Sequence, residues 1–323
     1  MSKLLKIAGI LLAVVVVAAL GFYAWASWQS GRVFAQTYDS HAVDFPIPFP
    51  LSAAEVDRLG LDSAAATTLA HERAIERGRH LLEARYGCTG CHGDNFGGGV
   101  MVDAAPIGRL FGPNLTTGPG SRSVTFTPAD WDRIVRHGIL PGGRPAVMPA
   151  EDFQRMADQE LSDIITYIRS LPPVDTVMPP RSFGPLGKVL AATGQFVLAA
   201  TIIESHDAVH VVAPPEAAVT LEFGRHLAGP CMGCHRADLG GGPIVGGDPA
   251  WVPARNLTPD ATGLAGWTYE QFTTAMRQAT RPDGTALRAP MTFVQPYAER
   301  MTDVELEALW LYIQSVPAVA ARD

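Results

Sequence analysis

The chain has 323 residues, enough for two domains of about 100 residues each with short ends and a linker. Its formal net charge is -7 at pH 7, so it is not expected to bind nucleic acid. The only lysines are Lys3, Lys6 and Lys188, so a lysine ring that would steer a loosely bound partner is not expected either.

An apolar segment lies at the N-terminus, where residues 7–31 run for 25 residues without a charge. At ~1.5 Å per residue, a helix of this length exceeds the ~30 Å hydrocarbon core of a bilayer. Lys3 and Lys6 precede the run, which predicts a cytoplasmic N-terminus and export of everything that follows. The alternative is a signal peptide cleaved near Ala24-Trp25-Ala26, but the run is long for a signal. We therefore expect a single-pass anchor in the inner (cytoplasmic) membrane.

Proline content and apolar periodicity divide the rest of the chain. Pro46, Pro48 and Pro50 predict an extended tether after the anchor, and helical patterns begin near Ala66. A segment with prolines at both ends joins two similar halves. The predicted divisions are a 1–31 anchor, a 32–65 tether, a 66–175 first domain, a 176–215 linker with an apolar helix, and a 216–323 second domain.

The strongest motif is Cys-x-x-Cys-His, which occurs once in each half and uses all four cysteines of the chain: Cys88, Cys91 and His92, then Cys231, Cys234 and His235. This pentapeptide is the attachment signature for c-type haem. Two thiols form thioethers with the haem vinyl groups, and the adjacent histidine reaches the iron. The sequence therefore predicts two haem c groups. In bacteria this attachment takes place outside the cytoplasm, in agreement with the predicted export.

Other uses of paired cysteines fit less well. A four-thiolate zinc site is disfavoured because 139 residues separate Cys91 from Cys231, far more than zinc-ligand pairs usually allow. A thioredoxin-like dithiol would follow a strand within a βαβ pattern, whereas each pair here follows a helical pattern. Haem attachment remains the preferred interpretation.

A sixth iron ligand is predicted at the same distance in both halves. Met148 lies 56 residues after His92, and Met291 lies 56 residues after His235. Two further methionines, Met156 and Met301, stand in matching phrases before a helical pattern, and we expect them to fill the cores. His137 is a competing ligand in the first half, but the second half has no equivalent.

The helical patterns follow one plan in each half. Thr127 is the expected N-cap of the middle helix of the first half. Gly78 lies inside the first of these helices and predicts a close helix crossing, with Tyr167 as partner. An apolar run at 189–203 predicts a helix, either packed between the halves or lying on the membrane surface. No strand pattern competes, so the predicted fold class is all-α. The predicted helices are 69–86, one after Thr127, 158–171, 222–227, 268–278 and 305–316.

Residues around each haem are predicted less sharply. Each iron-bound histidine should donate its other ring N–H to a backbone carbonyl, for which Pro106, Pro113, Pro243 and Pro253 are in range. Donors to the haem propionates have several candidates, each of which has an equally simple role at the surface or in the core. These are Arg109, Arg144, Arg255, Arg288, Trp131, Trp251 and Trp267.

On these motifs, each half resembles a class I cytochrome c domain. The resemblance covers about residues 66–320, and the pair is similar to membrane-anchored dihaem cytochromes that serve bacterial dehydrogenases and respiratory complexes. It implies His92 and His235 as proximal ligands, and Met148 and Met291 as distal ligands. No catalytic residue is expected, because both axial positions are then filled.

The expected function is electron transfer on the periplasmic side of the membrane. The partner is expected to be a membrane complex: a dehydrogenase, a quinol-oxidising complex or a terminal oxidase. Without lysines in either haem domain, a stably held subunit is favoured over a diffusing carrier. The alternative from another class is a dihaem peroxidase, which needs an open or displaceable sixth position on one iron.

Overall fold

The computed structural model of the chain describes residues 3–41, 43–244, 247–248 and 250–322. Residues 1 and 2 of the predicted anchor and residue 323 of the predicted second domain lie outside these ranges. The fold is mostly helical, with one small sheet, which confirms the predicted fold class.

The helices and strands alternate with long loops. The helices are α1 Lys3–Ala35, α2 Ala53–Leu59, α3 Ser63–Ala84, α4 Thr89–His92, α5 Pro128–His137, α6 Asp158–Ser170, α7 Pro185–Ala192, α8 Ala199–Ile202, α9 Leu221–Leu227, α10 Met232–His235, α11 Tyr269–Gln278, α12 Met291–Ala298 and α13 Asp303–Ser315. The strands are β1 Gly99–Ala104, β2 Gly108–Gly112 and β3 Ser182–Phe183.

Helix α1 is long and apolar enough to cross a membrane, with a mean hydropathy of 2.6 over its most apolar window. Within the described ranges it is the one helix that meets this criterion, and a signal sequence would meet it too. The C-terminal part of α1 packs on α7, and Ala26 of α1 is buried. Phe34 of α1 stacks on Phe183 of β3, with ring centroids 4.3 Å apart.

The first half is built on the crossing of α3 and α6. A Cβ at Gly78 would clash with the backbone oxygen of Asp163 and would lie 2.8 Å from the Cβ of Tyr167. Only glycine permits this approach, as the sequence predicts. The crossing brings Leu82 and Leu161 into one buried core.

The second half repeats the arrangement with α9 and α13. A Cβ at Gly224 would clash with the backbone oxygen of Ala308 and would lie 2.7 Å from the Cβ of Tyr312. Leu306 and Leu309 are buried beneath this crossing. The two halves therefore share one helix-packing solution.

Three short strands form a sheet that the sequence does not predict. β1 and β2 are antiparallel, with Gly99 opposite Gly112 and Ala104 opposite Gly108, and β3 pairs with β2 through Gly108 and Phe183. These strands are short and rich in glycine, so they lack the alternating apolar pattern by which strands are recognised.

The linker and the tether differ from their predicted forms. The apolar run 189–203 is not one helix, since α7 ends at Ala192 and α8 begins only at Ala199. Gly194 lies between them with a φ of 74°, and a left-handed residue breaks a helix. The tether is not fully extended, because α2 and the start of α3 lie within 32–65.

Candidate functional site

Both Cys-x-x-Cys-His motifs fold as single helical turns. The amide of His92 donates to the carbonyl of Cys88 at 3.0 Å, and the amide of His235 donates to that of Cys231 at 2.9 Å. The turn therefore holds each histidine one helical turn after the first cysteine, as covalent attachment of one flat ligand requires. None of the four cysteines forms a disulfide.

The raised pKa values of these thiols argue against a redox-active dithiol. Burial and the neighbouring Cys91 raise the pKa of Cys88 to about 12. Burial, Cys234 and Asp152 raise the pKa of Cys231 to about 12 as well. A thiol that exchanges disulfides needs a lowered pKa, because the thiolate is the reactive form.

Each motif histidine is oriented by a backbone carbonyl. Nδ1 of His92 bonds the carbonyl of Pro113 at 2.9 Å, and Nδ1 of His235 bonds that of Arg255 at 2.7 Å. Bonding through Nδ1 leaves Nε2 with the lone pair that a metal ion takes. Burial lowers the pKa of both rings, and the carbonyls partly offset this.

The structure thus chooses among the predicted acceptors. Pro113 is the acceptor in the first half, and Pro106 is not. In the second half the acceptor is the carbonyl of Arg255, a residue for which the sequence suggests only a role as a propionate donor. Neither Pro243 nor Pro253 accepts this hydrogen bond. Sequence reasoning missed Arg255 because any residue offers a carbonyl and only the path of the loop selects one.

The acceptor carbonyls are fixed by the residues that follow them, Asn114 and Asn256. The amide nitrogen of Asn114 donates to the carbonyl of Val174 at 2.8 Å, and its oxygen accepts from Thr116. Asn256 donates to the carbonyl of Val319 at 2.6 Å in the same way. The Asn-Leu-Thr motif, which occurs at 114–116 and again at 256–258, therefore ties each acceptor loop to the segment after the terminal helix of its half.

Met148 lies in the loop that follows α5. Ile139 and Pro145 pair as an isolated antiparallel bridge at the base of this loop, and the amide of Ala146 donates to the carbonyl of Gly138 at 2.7 Å. The methionine side chain is half-buried.

Met291 follows a loop of the same construction. Thr280 and Ala286 form the bridge, and the amide of Leu287 donates to the carbonyl of Ala279 at 2.7 Å. Met291 is again half-buried. The other two methionines differ, because Met156 is 2% exposed and Met301 8% exposed, and both lie in the cores.

Trp131 stands out among the predicted propionate donors. Its Nε1 is buried and has no hydrogen-bond partner in the described part of the chain, although a buried indole N–H is normally satisfied. An anionic carboxylate from a bound cofactor is a suitable acceptor, so this orphaned donor fits haem. The four candidate arginines, Arg109, Arg144, Arg255 and Arg288, are exposed.

The segment just after the predicted methionine ligand of each half contacts the Cys-x-x-Cys-His turn of the other half. The hydroxyl of Tyr297 in α12 lies 3.0 Å from that of Thr89, and its ring would meet a Cβ at Gly87 at 3.0 Å. In the reciprocal position, the carboxylate of Asp152 fills the space beside Gly233. Each attachment turn therefore lies at the contact between the two halves.

Comparisons with known proteins agree with this geometry. A family model described as Cytochrome c matches residues 75–172 and 223–317. The cytochrome c subunit of a quinone alcohol dehydrogenase from Gluconacetobacter polyoxogenes is 27% identical over 297 residues, which is 83% of this chain and 61% of that protein.

Two further relatives have related names. The fructose dehydrogenase cytochrome subunit of Gluconobacter japonicus is 24% identical, covering 78% of this chain and 54% of that protein. A diheme cytochrome c-type protein of Cereibacter sphaeroides is 26% identical, covering 75% of this chain and 86% of that protein. The chain spans about three fifths of the length of the dehydrogenase subunits that it matches.

Proposed function

The chain belongs to the cytochrome c family, and from this premise we propose that it carries two haem c groups and relays electrons between them on the periplasmic side of the membrane. Cys88 and Cys91 hold one group, and Cys231 and Cys234 hold the other. When bound, haem c supplies a one-electron carrier whose potential depends on its axial ligands and its burial.

The proposed ligands of the haem irons are His92 and Met148 in the first half, and His235 and Met291 in the second. The observation that carries it is the Nδ1-to-carbonyl bond of both motif histidines, because this bond turns Nε2 into the ligand atom. A thioether in the sixth position favours ferrous iron and keeps water and peroxide away from the metal. The chain then moves electrons and does not catalyse a reaction of its own.

Contacts between the two halves support transfer between the two sites. Tyr297 packs on the first attachment turn, and Asp152 packs beside the second. Each attachment turn is thus held against the other half, which would keep the two haems in a fixed relation.

The partner of the proposal is a dehydrogenase in the same membrane, held as a stable complex. Related proteins are named as cytochrome subunits of alcohol, fructose and gluconate dehydrogenases. The haem domains lack lysine, so attraction between a lysine ring and an acidic partner would not bring a diffusing partner to them. Helix α1 anchors the subunit, with Lys3 and Lys6 on the cytoplasmic side.

Ligand replacement tests the proposal on the full chain in detergent. Met148→Ala and Met291→Ala should each convert one of two haems from low-spin to high-spin and lower the potential of that haem alone. Met101→Ala, in β1, is the matched control and should change neither haem. An oxidised wild-type protein with one five-coordinate, high-spin iron would overturn the ligation and favour a peroxidase.

Co-extraction tests the partner. Mild detergent followed by sizing should return the chain in a complex with a dehydrogenase subunit. A lone monomer that exchanges electrons rapidly would contradict the proposed complex without touching the haem ligation.

A further inference from the structure

Four side chains that are not among the proposed haem ligands converge on one point of the first half. His41 comes from the tether, Asp132 and His137 come from α5, and His210 comes from the linker. One ligand atom from each of these residues lies within 4.8 Å of all the others. Asp132 and His137 are fully buried, and His41 and His210 are half-buried.

His137 and His210 approach each other closely, and Asp132 approaches each of them through a different oxygen. Nε2 of His137 and Nε2 of His210 are 3.2 Å apart. Asp132 lies 3.6 Å from the first through Oδ2 and 3.7 Å from the second through Oδ1. Zinc bonds of ~2.0 to 2.1 Å in a tetrahedron place neighbouring ligand atoms about 3.3 Å apart. The two imidazole nitrogens are therefore already close to this edge length, and all four ligand atoms lie within 4.8 Å of one another, so small side-chain movements would complete the site.

The hydrogen bonds of His137 assign its lone pair to this point. Nε2 of His206 lies 3.1 Å from the carbonyl of Ala200, so it carries the proton, and Nδ1 of His206 is an acceptor. Nδ1 of His137 lies 3.2 Å from that acceptor and must be the donor. A neutral His137 then points the lone pair of Nε2 at the cluster.

His41 is oriented in the same way. Its Nδ1 donates to the carbonyl of His206 at 2.7 Å, which leaves a lone pair on Nε2. Among the described residues, neither that Nε2 nor the buried Oδ2 of Asp132 has a hydrogen-bond partner. Two orphaned acceptors in one buried place need a cation or a donor between them.

The charges around the cluster leave room for a cation. Arg136 bonds Oδ1 of Asp132 through Nε at 2.6 Å and pairs with Asp158 at 2.7 Å. One guanidinium thus serves two carboxylates, and a net negative charge remains. Three imidazoles and a carboxylate form a donor set suited to a divalent transition metal.

We propose that His41, His137, His210 and Asp132 bind one divalent transition-metal ion, of which Zn²⁺ is the representative. With four protein ligands the site is closed, as structural zinc sites are. Its ligands come from the tether, the first haem domain and the linker, so the ion clamps the segment that leaves the membrane anchor onto the first domain. The proposal does not rest on the proposed haem ligation.

Metal binding is measured on the full chain in detergent, with its haems attached. The protein is stripped with a chelator, dialysed, and titrated with zinc chloride by calorimetry, and zinc is then counted against iron. We expect one zinc per chain. His41→Gln and His210→Gln should each weaken binding more than about 100-fold, because even outer partners of metal ligands contribute about 10- to 100-fold. His71→Gln, an exposed histidine on α3, is the matched control and should bind as the wild type does.

Two measurements on the wild type keep the test independent of how the variants fold. X-ray absorption at the zinc edge should show about three imidazole nitrogens at about 2.0 Å. Hydrogen exchange of residues 37–41 and 205–211 should slow when zinc is added to the stripped protein. Failure to take up one equivalent, zinc bound without imidazoles, or unchanged affinity in both variants would overturn the site and leave a shared proton between His137 and His210.

Discussion

His226 of α9 bonds both carboxylate oxygens of Glu160 at 2.9 Å, so the second half contacts the terminal helix of the first. The reverse contact exists too, because His80 of α3 bonds the carboxylate of Glu305 in α13 at 2.9 and 3.0 Å. His80 and His226 occupy equivalent places in the repeated Gly-Arg-His-Leu sequence. The two halves are joined by a reciprocal pair of bonds related by the internal repeat.

Arg85 lies at the centre of this interface. Its Nη1 donates to Glu160 at 2.7 Å and its Nε donates to Glu305 at 3.0 Å, with only 9% of the side chain exposed. Each glutamate also caps its own helix, through the amides of Ala157 and Thr302 respectively. The two carboxylates therefore stabilise a helix end and the domain interface together.

Removing one of these carboxylates should destabilise the whole chain. Glu305→Gln takes the ionic acceptor away from His80 and Arg85, and hydrogen bonds to charged groups contribute ~1.5 to 3 kcal/mol. We expect a loss of about 2 kcal/mol in the free energy of unfolding, measured by denaturant titration of the full chain. Glu307→Gln, two residues along on the exposed side of the same helix, is the control and should change little. Equal stability of the two variants would show that the interface gains nothing from Glu305.

The same carboxylate should make stability depend on acidity. Burial raises the pKa of Glu305, but its bond to His80 and the charge of Arg85 outweigh burial and lower it from 4.5 to about 2. A lowered pKa gives stability that is fully present above pH ~4.5 and is lost as the pH falls towards 2. We expect the gap in unfolding free energy between wild type and Glu305→Gln to shrink across that window. A gap that stays constant from about pH 6 to about pH 3 would contradict the assignment.

Close helix crossings give a second stability test. An alanine at Gly78 would place a methyl group against the backbone oxygen of Asp163. Overpacking of this kind costs ~1 to 3 kcal/mol, and here the clash is with backbone and cannot be relieved by a rotamer change. Gly78→Ala and Gly224→Ala should therefore each lower the melting temperature. Gly9→Ala, where nothing lies within 4 Å, should leave it unchanged. A wild-type melting temperature in both crossing variants would mean that the helices shift apart at no cost.

Structural features that depend on neighbouring residues are easier to predict from the sequence than features that depend on how distant segments pack together. Thr127 caps α5, as the sequence predicts, because a cap depends on neighbouring residues. Gly78 meets Tyr167, as predicted, because a glycine inside a helix is costly unless a close helix crossing needs it. The matching phrases that carry Glu160 and Glu305 are visible too, but only as the start of a helix. Their second role depends on how the two halves dock.

The histidine cluster shows the same limit more strongly. His137 appears in the sequence as a competitor for the iron, yet it lies between His206 and His210 at 3.2 Å from each. Its partners come from a tether and a linker that are far away in the chain. Spacing rules propose ligands that share one turn or that recur at the same offset in an internal repeat, and they do not detect ligands that three separate segments bring together once.

Loss of the loop tie should affect each half separately. Asn114→Ala removes the bonds to Val174 and Thr116, which hold the carbonyl of Pro113 towards His92. We expect a loss of about 1 to 3 kcal/mol in stability, because buried partners are left unpaired. The spectrum of the first haem should change while that of the second does not, and Asn256→Ala should show the reverse. Asn95→Ala, an exposed asparagine that bonds only its own loop at Gly97, is the control. Altered spectra of both haems in either variant would show that the tie acts on the whole fold.

The unpaired indole of Trp131 supplies the last prediction. Trp131→Phe keeps an aromatic ring in the core and removes the N–H, for which the described residues offer no acceptor. If that N–H donates to a propionate of the first haem, its loss leaves a more negative carboxylate near the iron, which stabilises the ferric form. The potential of the first haem should fall while that of the second stays constant, as measured by a redox titration that resolves both. Trp310→Phe, at the edge of the second core, controls for the loss of an indole. An unchanged first potential in Trp131→Phe would exclude Trp131 as the propionate donor and return its buried N–H to an unexplained feature of the core.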